Sequence, residues 1–280
     1  MEFLQPTSWA EALAMKSAHP DAMPIAGGTD VMVEINFDRA RPASIIDLTR
    51  VPELTQWGTD DGLLRIGAGV TYTRIIDELA GQLPGLAMAS RTVGSPQIRN
   101  RGTVGGNLGS ASPAGDAHPP LLAAGAGVEL ASTRGSRRVP AREFFIGPKR
   151  NAMQKDELIA AFLIEPAHGP EQFSKVGTRN AMVIAVCSFA LALDPGRKRV
   201  GTGIGSAGPT PLRAVEAEDF IQGELDWEGR RPLGDATLNR FGELVATAAK
   251  PIDDVRGTAA YRRHALSVMA RRCLTWAWAT

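Results

Sequence analysis

Residues that build redox and metal centres are scarce in this chain. Its 280 residues include two cysteines, Cys187 and Cys273, and four histidines, His19, His118, His168 and His264. Iron–sulfur clusters are usually held by four thiolates, so any such centre must come from another chain, and the two cysteines read as packing residues within apolar runs. No HxH or HExxH pair is present, so an intrinsic metal site is not expected. A charge excess is also missing: 31 Lys+Arg against 30 Asp+Glu leave a formal net charge of +1, which argues against a nucleic-acid surface. No GxxxxGK[ST] run occurs, which excludes a P-loop. The first residues lack a basic segment followed by an apolar one, and no stretch reaches the roughly 20 apolar residues of a membrane span. A cytoplasmic protein is expected.

Small residues are what the chain has instead. With 30 glycines, 44% hydrophobic and 22% charged residues, it has material for two compact domains. Residues 101–116 combine glycine, hydroxyl and amide side chains with almost nothing bulky. Glycine has no Cβ and tolerates positive φ, so Gly105-Gly106 is predicted to form an anion-binding nest of backbone N–H groups. Ser110 and Ser112 offer hydroxyl donors, Asn107 both donates and accepts, and Asp116 supplies an acceptor suited to ribose hydroxyls. A second cluster, Gly27-Gly28-Thr29-Asp30, is followed by the apolar Val31-Met32-Val33. Two phosphate-shaped loops suggest a dinucleotide.

Local signals divide the chain further. Ser8 with Glu11 three residues later predicts a capped helix over 7–15, ended by His19-Pro20. Pro24-Ile25-Ala26 reads as a short strand, and Asp30 opens a helix or an extended segment. Residues 44–48 and 63–69 read as strands separated by the hairpin-type turn Asp60-Asp61-Gly62. Thr71 starts a helix through Leu79, and Pro119-Pro120 forbids a long helix beginning at Asp116. Residues 128–130 and 137–140 form a strand pair, with Arg134, Arg137, Arg138 and Arg142 on a solvated hairpin edge. A strand over 156–165 leads to the linker 166–170. An antiparallel pair over 181–193 and 200–207 follows, then helices over 212–217, 238–249 and 259–277. Gly203-Ile204-Gly205-Ser206-Ala207-Gly208 matches GxGxxG by letter. Pro209 and Pro211 forbid the helix that a Rossmann turn needs, so this is read as a strand with close backbone packing.

Taken together, 25–30, 94–107, 156–159, 173–179 and 253–259 resemble, in this order, the flavin-binding subunit of the xanthine dehydrogenase and carbon monoxide dehydrogenase family of molybdenum hydroxylases. The resemblance covers nearly the whole chain. It implies an α+β fold: a two-subdomain FAD-binding domain of the vanillyl-alcohol-oxidase (PCMH) type over 1–168, then a smaller α+β domain over 169–280 with antiparallel strands and C-terminal helices. It also implies site residues. Ala26, Gly27, Gly28, Thr29, Asp30 and Val31 would wrap the FAD pyrophosphate, with Gly102, Thr103, Gly106, Asn107, Gly109 and Ser110 on the opposite side. Gly115 and Asp116 would lie near the adenosine ribose, Ile159 near the adenine or flavin, and Lys175 beside the flavin ring, where a cation favours the anionic reduced form.

Neither glycine loop carries a histidine, cysteine or tyrosine for covalent attachment, so FAD is expected to be non-covalent. The implied function is electron transfer from 2Fe–2S clusters in a small partner subunit to an external acceptor, with the molybdenum cofactor in a large partner subunit and the whole a dimer of heterotrimers. Trp276 and Trp278 are candidates for a partner contact. Two alternatives stand beside this reading: a self-contained FAD oxidase, and a non-catalytic assembly subunit. The substrate of the complex is not legible in this chain.

Overall fold

The computed structural model describes residues 1–279. The chain begins with a three-stranded parallel sheet in which Ser44–Asp47 lies between Glu2–Leu4 and Met23–Ile25. Helix Trp9–Ala18 makes the first crossover. Ser8 Oγ accepts from the Glu11 N–H at 3.2 Å, and the Glu11 carboxylate reaches back to the Thr7 N–H at 2.7 Å, so the expected cap forms with its return bond one residue earlier. The six-residue helix Val31–Asn36 leaves the first glycine segment.

A five-stranded antiparallel sheet follows, in the order Trp57–Asp60, Leu63–Gly67, Leu158–Ile164, Gly127–Ser132, Gly135–Pro140. This corrects the expected hairpin. The Asp61-Gly62 turn joins Leu63–Gly67 to Trp57–Asp60, whereas Ser44–Asp47 belongs to the parallel sheet. Trp57-Gly58-Thr59-Asp60 has too few apolar residues to announce itself as a strand. Leu158–Ile164, buried along its whole length, takes the central place its unbroken apolar run suits. Gly135–Pro140 is an edge strand, as expected, and its arginines are tied down: Arg137 pairs with Glu157 at 2.7 Å, and Arg138 reaches Asp60 on the opposite edge strand at 2.5 Å. The sheet is therefore strongly curled. The five-stranded sheet covers an apolar core built around Ile66, Leu108, Leu130, Phe144 and Phe162, which Ala12 of the first crossover helix also joins.

After 166–170 comes a three-stranded antiparallel sheet with Cys187–Asp194 between Glu171–Val176 and Arg199–Gly205. Its alternation assigns the two faces. Cys187, Phe189, Leu191 and Leu193 point into a second core with helices Val215–Glu224, Asp235–Ala248 and Ala259–Ala279. Ala190 and Phe173 face the other way, onto Ala89 of helix Pro84–Arg91. The same face packs on the short helix His118–Ala123, whose first turn holds Pro119 and Pro120. Gly201 and Gly203 permit that packing: a Cβ at either would lie inside van der Waals contact with the carbonyl oxygens of Ala123 and Pro119. The GxGxxG letters thus belong to a strand with close backbone approach, as expected.

Candidate cofactor site between the two glycine segments

The two glycine segments lie backbone to backbone. A Cβ on Gly27 would overlap the carbonyl of Arg101, and one on Gly102 would stand 3.4 Å from Thr29 Oγ1 and 3.3 Å from the Tyr72 ring. Gly28 has φ +75°, a left-handed conformation that glycine adopts without cost. The Tyr72 N–H donates to Gly102 O at 3.0 Å, which pins the second segment to the start of helix Tyr72–Glu78. Arg99, on helix Pro96–Arg101, donates to the carbonyls of Val93 at 3.0 Å and Gly94 at 3.3 Å and so fixes the approach to Gly102.

The predicted nest at Gly105-Gly106 is not formed. Residues Val104–Ser110 are helical, Thr103 is the N-cap, and its Oγ1 accepts from the Gly106 N–H at 2.8 Å. Neither glycine has positive φ. Thr-x-x-Gly capping was the competing signal, and it prevailed because a buried hydroxyl satisfies one of the free N–H groups of a helix start. Thr103 is consequently buried at 5% exposure, acting as a cap. The two glycines also serve different ends. A Cβ on Gly105 would collide with Ala68, whereas Gly106 is exposed and its Cβ would meet only Thr103 Oγ1, at 3.1 Å. Gly109 is exposed too, with Ile159 Cδ1 3.6 Å from its Cβ position. The outer face of this helix is therefore bare backbone.

Polar side chains brace it from behind. Ser110 Oγ donates to Asn107 O at 3.0 Å, Asn107 Oδ1 accepts from the Ala117 N–H at 3.4 Å, and Asn151 Nδ2 donates to Gly109 O at 2.9 Å. Ser112 Oγ accepts from the Ala114 N–H at 3.3 Å, which spends it on its own turn. His118 Nε2 lies 3.0 Å from Asn107 O and is its donor. Burial pushes His118 down to about 4, so the ring is neutral, and Gly115 must be glycine because that ring occupies the space of a Cβ.

Asp116 and Lys175, assigned on sequence to opposite ends of FAD, form one buried ion pair. Lys175 Nζ lies 2.6 Å from Asp116 Oδ2 and 3.1 Å from Thr92 O, with side-chain exposures of 6% and 9% for the lysine and aspartate. The assignment is corrected on that point: both side chains attend the same place. Strand Glu171–Val176 delivers the lysine because its sheet docks on helix Pro84–Arg91, where Glu171 also accepts from the Gly85 N–H at 2.8 Å. Burial raises the Asp116 carboxyl to about 6, with Lys175 pulling the other way. Three polar atoms in this region are buried without a partner: Asp116 Oδ1, the Tyr72 hydroxyl and His118 Nδ1. Sequence reasoning missed Tyr72 and Thr92. One of only two tyrosines, Tyr72 sits where a helix starts, and nothing in its neighbours marks its hydroxyl as unpaired.

An open glycine face and a side-chain-free approach from Gly27-Gly28 fit a bound dinucleotide. A family model described as "FAD binding domain in molybdopterin dehydrogenase" matches residues 1–166. The chain belongs to this family. A second model, "CO dehydrogenase flavoprotein C-terminal domain", matches residues 172–277.

Similar members of the family include the putative xanthine dehydrogenase FAD-binding subunit XdhB of Escherichia coli strain K12, 32% identical over 95% of this chain and 92% of that one. The nicotinate dehydrogenase FAD-subunit of Eubacterium barkeri is 34% identical over 79% of both. Among solved structures, a chain of the Cu,Mo-CO dehydrogenase superposes with TM-score 0.91 at 29% identity, covering 100% of this chain and 98% of that one. Quinoline 2-oxidoreductase from Pseudomonas putida 86 gives TM-score 0.90 at 25% identity, covering 99% and 96%. The α+β flavoprotein fold is thus that of the family.

Of the two candidate partner-contact tryptophans, Trp278 is used internally. Its Nε1 donates to Arg231 O at 2.8 Å, and its ring packs edge-on against Trp227 at 5.6 Å. Trp276 is half exposed.

Proposed function

We propose that the chain is the FAD-binding, electron-transferring subunit of a molybdenum hydroxylase, holding FAD non-covalently. The observation that carries this reading is the backbone-to-backbone juxtaposition of the two glycine segments beside a helix with an exposed glycine face, in a chain of this family. Bound FAD supplies reversible two-electron and one-electron redox chemistry. Residues 26–31 and the exposed face of Gly106, Asn107, Gly109 and Ser110 hold the diphosphate portion. Gly102 and Thr103 shape the gap from within, and Gly115 seats His118 behind it. Ile159 offers an apolar contact beside Gly109. The Asp116–Lys175 pair lies under the polar part of the ligand, and the net effect of the lysine is to place positive charge where reduction would build negative charge.

The partners follow from the chemistry this chain lacks: a small subunit with 2Fe–2S clusters and a large one with the molybdenum cofactor, in a cytoplasmic dimer of heterotrimers. Among the described residues no helix is long and apolar enough to cross a membrane. The functional boundary is placed at 168/169. The test is to purify the chain alone and with both partners, then follow flavin absorbance anaerobically while candidate substrates are added. The isolated chain is expected to be yellow and unreactive, and the complex to bleach. Bleaching of the isolated chain by an organic substrate favours the self-contained oxidase, and a colourless chain that takes up no FAD favours the assembly subunit.

A further inference from the structure

The helix that leaves the first glycine segment turns its apolar residues outward. Five of the seven residues from Val31 to Phe37 are apolar, yet helix Val31–Asn36 buries none of its side chains; Met32 and Val33 are each 42% exposed and Phe37 is 69% exposed. A surface helix ordinarily sets its apolar stripe into the core, and six residues are too few to be helical on propensity alone. This one is held by polar ties instead. The Glu34 carbonyl accepts from the Arg39 N–H at 2.8 Å and from the Ala40 N–H at 3.2 Å, and the Glu34 carboxylate pairs with Lys149. Contacts fasten the helix to both walls of the cofactor site. Met32 Cγ lies 3.4 Å from the Cβ position of Gly28, and on the hairpin that carries Lys149, the Lys149 N–H donates to Ala111 O at 3.1 Å while Asn151 Nδ2 donates to Gly109 O at 2.9 Å. An apolar face kept out of the core beside a redox site marks an interface.

The rim of this face tells what chemistry covers it. The Arg39 guanidinium stands 5.5 Å from the Phe37 ring centroid, Arg150 follows Lys149 on the hairpin, and Arg101 carries the carbonyl against which Gly27 packs. All three arginines are exposed, and among the described residues none has a carboxylate within ion-pair distance. The acids nearby are already matched, Glu34 to Lys149 and Asp38 to Arg41. Positive charge is thus left over for an acidic partner. A 2Fe–2S cluster with four thiolate ligands is itself an anion, because its sulfides and thiolates outweigh the charge of its two irons. Electron transfer falls off steeply with distance, so a protein that reduces FAD must seat its cluster against the wall of the FAD site. We propose that helix Val31–Asn36, with Phe37 and its arginine rim, is the docking surface for the cluster-bearing partner subunit. This rests on the electron-transfer reading of the chain and adds to it the face by which electrons arrive.

The test is Phe37→Asp in the full chain, titrated with the purified small 2Fe–2S subunit and, separately, with the large molybdenum subunit. The variant is expected to take up FAD with wild-type affinity and to melt at the wild-type temperature or above, since it removes an exposed ring, while its affinity for the small subunit falls at least about 10-fold. Arg39→Glu is expected to weaken the same association several-fold, by a factor that shrinks as salt is added, because a rim charge acts at long range. Flavin reduction by the pre-reduced small subunit is expected to slow in both variants with FAD bound normally. Unchanged affinity for the small subunit in either variant overturns the inference. A loss confined to the large subunit, or self-association of the wild-type chain that Phe37→Asp abolishes, also overturns it, since either gives the face another occupant. Loss of FAD from Phe37→Asp overturns it too and makes the ring part of the cofactor site. Failure of the wild type to bind FAD, or to accept electrons from a 2Fe–2S partner, overturns the functional reading, and this inference with it.

Discussion

The two halves of the chain use glycine for opposite purposes. In the strand Arg199–Gly205, Gly201 and Gly203 remove side chains so that protein can approach protein, and helix His118–Ala123 fills the space. In the helix Val104–Ser110, Gly106 and Gly109 remove side chains on a face that is exposed among the described residues. Buried polar groups follow the same division. Around the second core, Glu218 accepts from the Thr202 N–H at 2.9 Å and from Arg213 Nε at 3.0 Å, and Ser206 Oγ donates to Ala185 O at 2.8 Å. Among the described residues, three of the four buried side-chain atoms without partners, those of Tyr72, Asp116 and His118, lie in the first half, and the fourth, Arg262 Nε, lies in the second. A region that completes its own hydrogen bonds is a scaffold, and one that leaves them open is built for a ligand.

The sharpest way to break that contrast is to fill the glycine spaces. Gly203→Ala and Gly105→Ala place a Cβ inside Pro119 and Ala68 respectively, and each is expected to cost about 3 kcal/mol or more, read as a drop in the urea midpoint. A midpoint within error of wild type would show that these contacts are not tight.

Lys175→Met comes next. It strands Asp116 in a buried site and should destabilise by about 3 kcal/mol, with Lys175→Met/Asp116→Asn recovering more than half. The same single variant is expected to retain FAD at a lower midpoint potential in a redox titration. An unchanged potential would remove the lysine from flavin tuning.

A pH profile separates His118 from its neighbour. His118 is held neutral, lowered from 6.5 to about 4, so its contribution is complete above pH 6.5 and lost as pH falls towards 4. Asp116 has the opposite sign: raised from 3.8 to about 6, it contributes below 3.8 and loses that contribution as pH rises through 6. The two slopes oppose one another between pH 4 and 6. His118→Gln removes one of them, so its stability penalty should be larger at pH 7 than at pH 4.5, by up to about 2 kcal/mol. A penalty independent of pH would mean that the wild-type ring is not titrating in this window.

The smallest stability effect belongs to Gly106→Ala, within about 1 kcal/mol of wild type because a helical Cβ gains what the contact with Thr103 loses. Gly106→Val, folded to a similar extent, is expected to bind FAD at least 10-fold more weakly. Full FAD occupancy with unchanged affinity would take the diphosphate portion away from this face.

Much of this was legible in the sequence. The capped helix after Ser8, the arginine-edged hairpin, the antiparallel pair around Asp194-Pro195-Gly196 and the long C-terminal helix all declare themselves by period or by turn chemistry. Short elements did not: Trp57–Asp60 has an alternation too brief to register, and Pro84–Arg91 lies in a stretch without a strong polar face. At the site, glycine pairs signal close approach without saying to what. Gly27 meets Arg101, Gly105 meets Ala68, and Gly106 meets almost nothing, yet all three carry the same letter. The Asp116–Lys175 pair is a contact 59 residues apart in sequence, set by how the second domain's sheet docks on helices Pro84–Arg91 and His118–Ala123, and no local pattern encodes it.

That pair also fixes a sequence of events at the ribosome. Asp116 and the glycine segments leave the exit tunnel well before Lys175, and the strand that carries the lysine takes its place only when the second sheet closes over helices Pro84–Arg91 and His118–Ala123. A nascent chain halted near residue 166 therefore has the glycines and Asp116 but not the lysine that pairs with it.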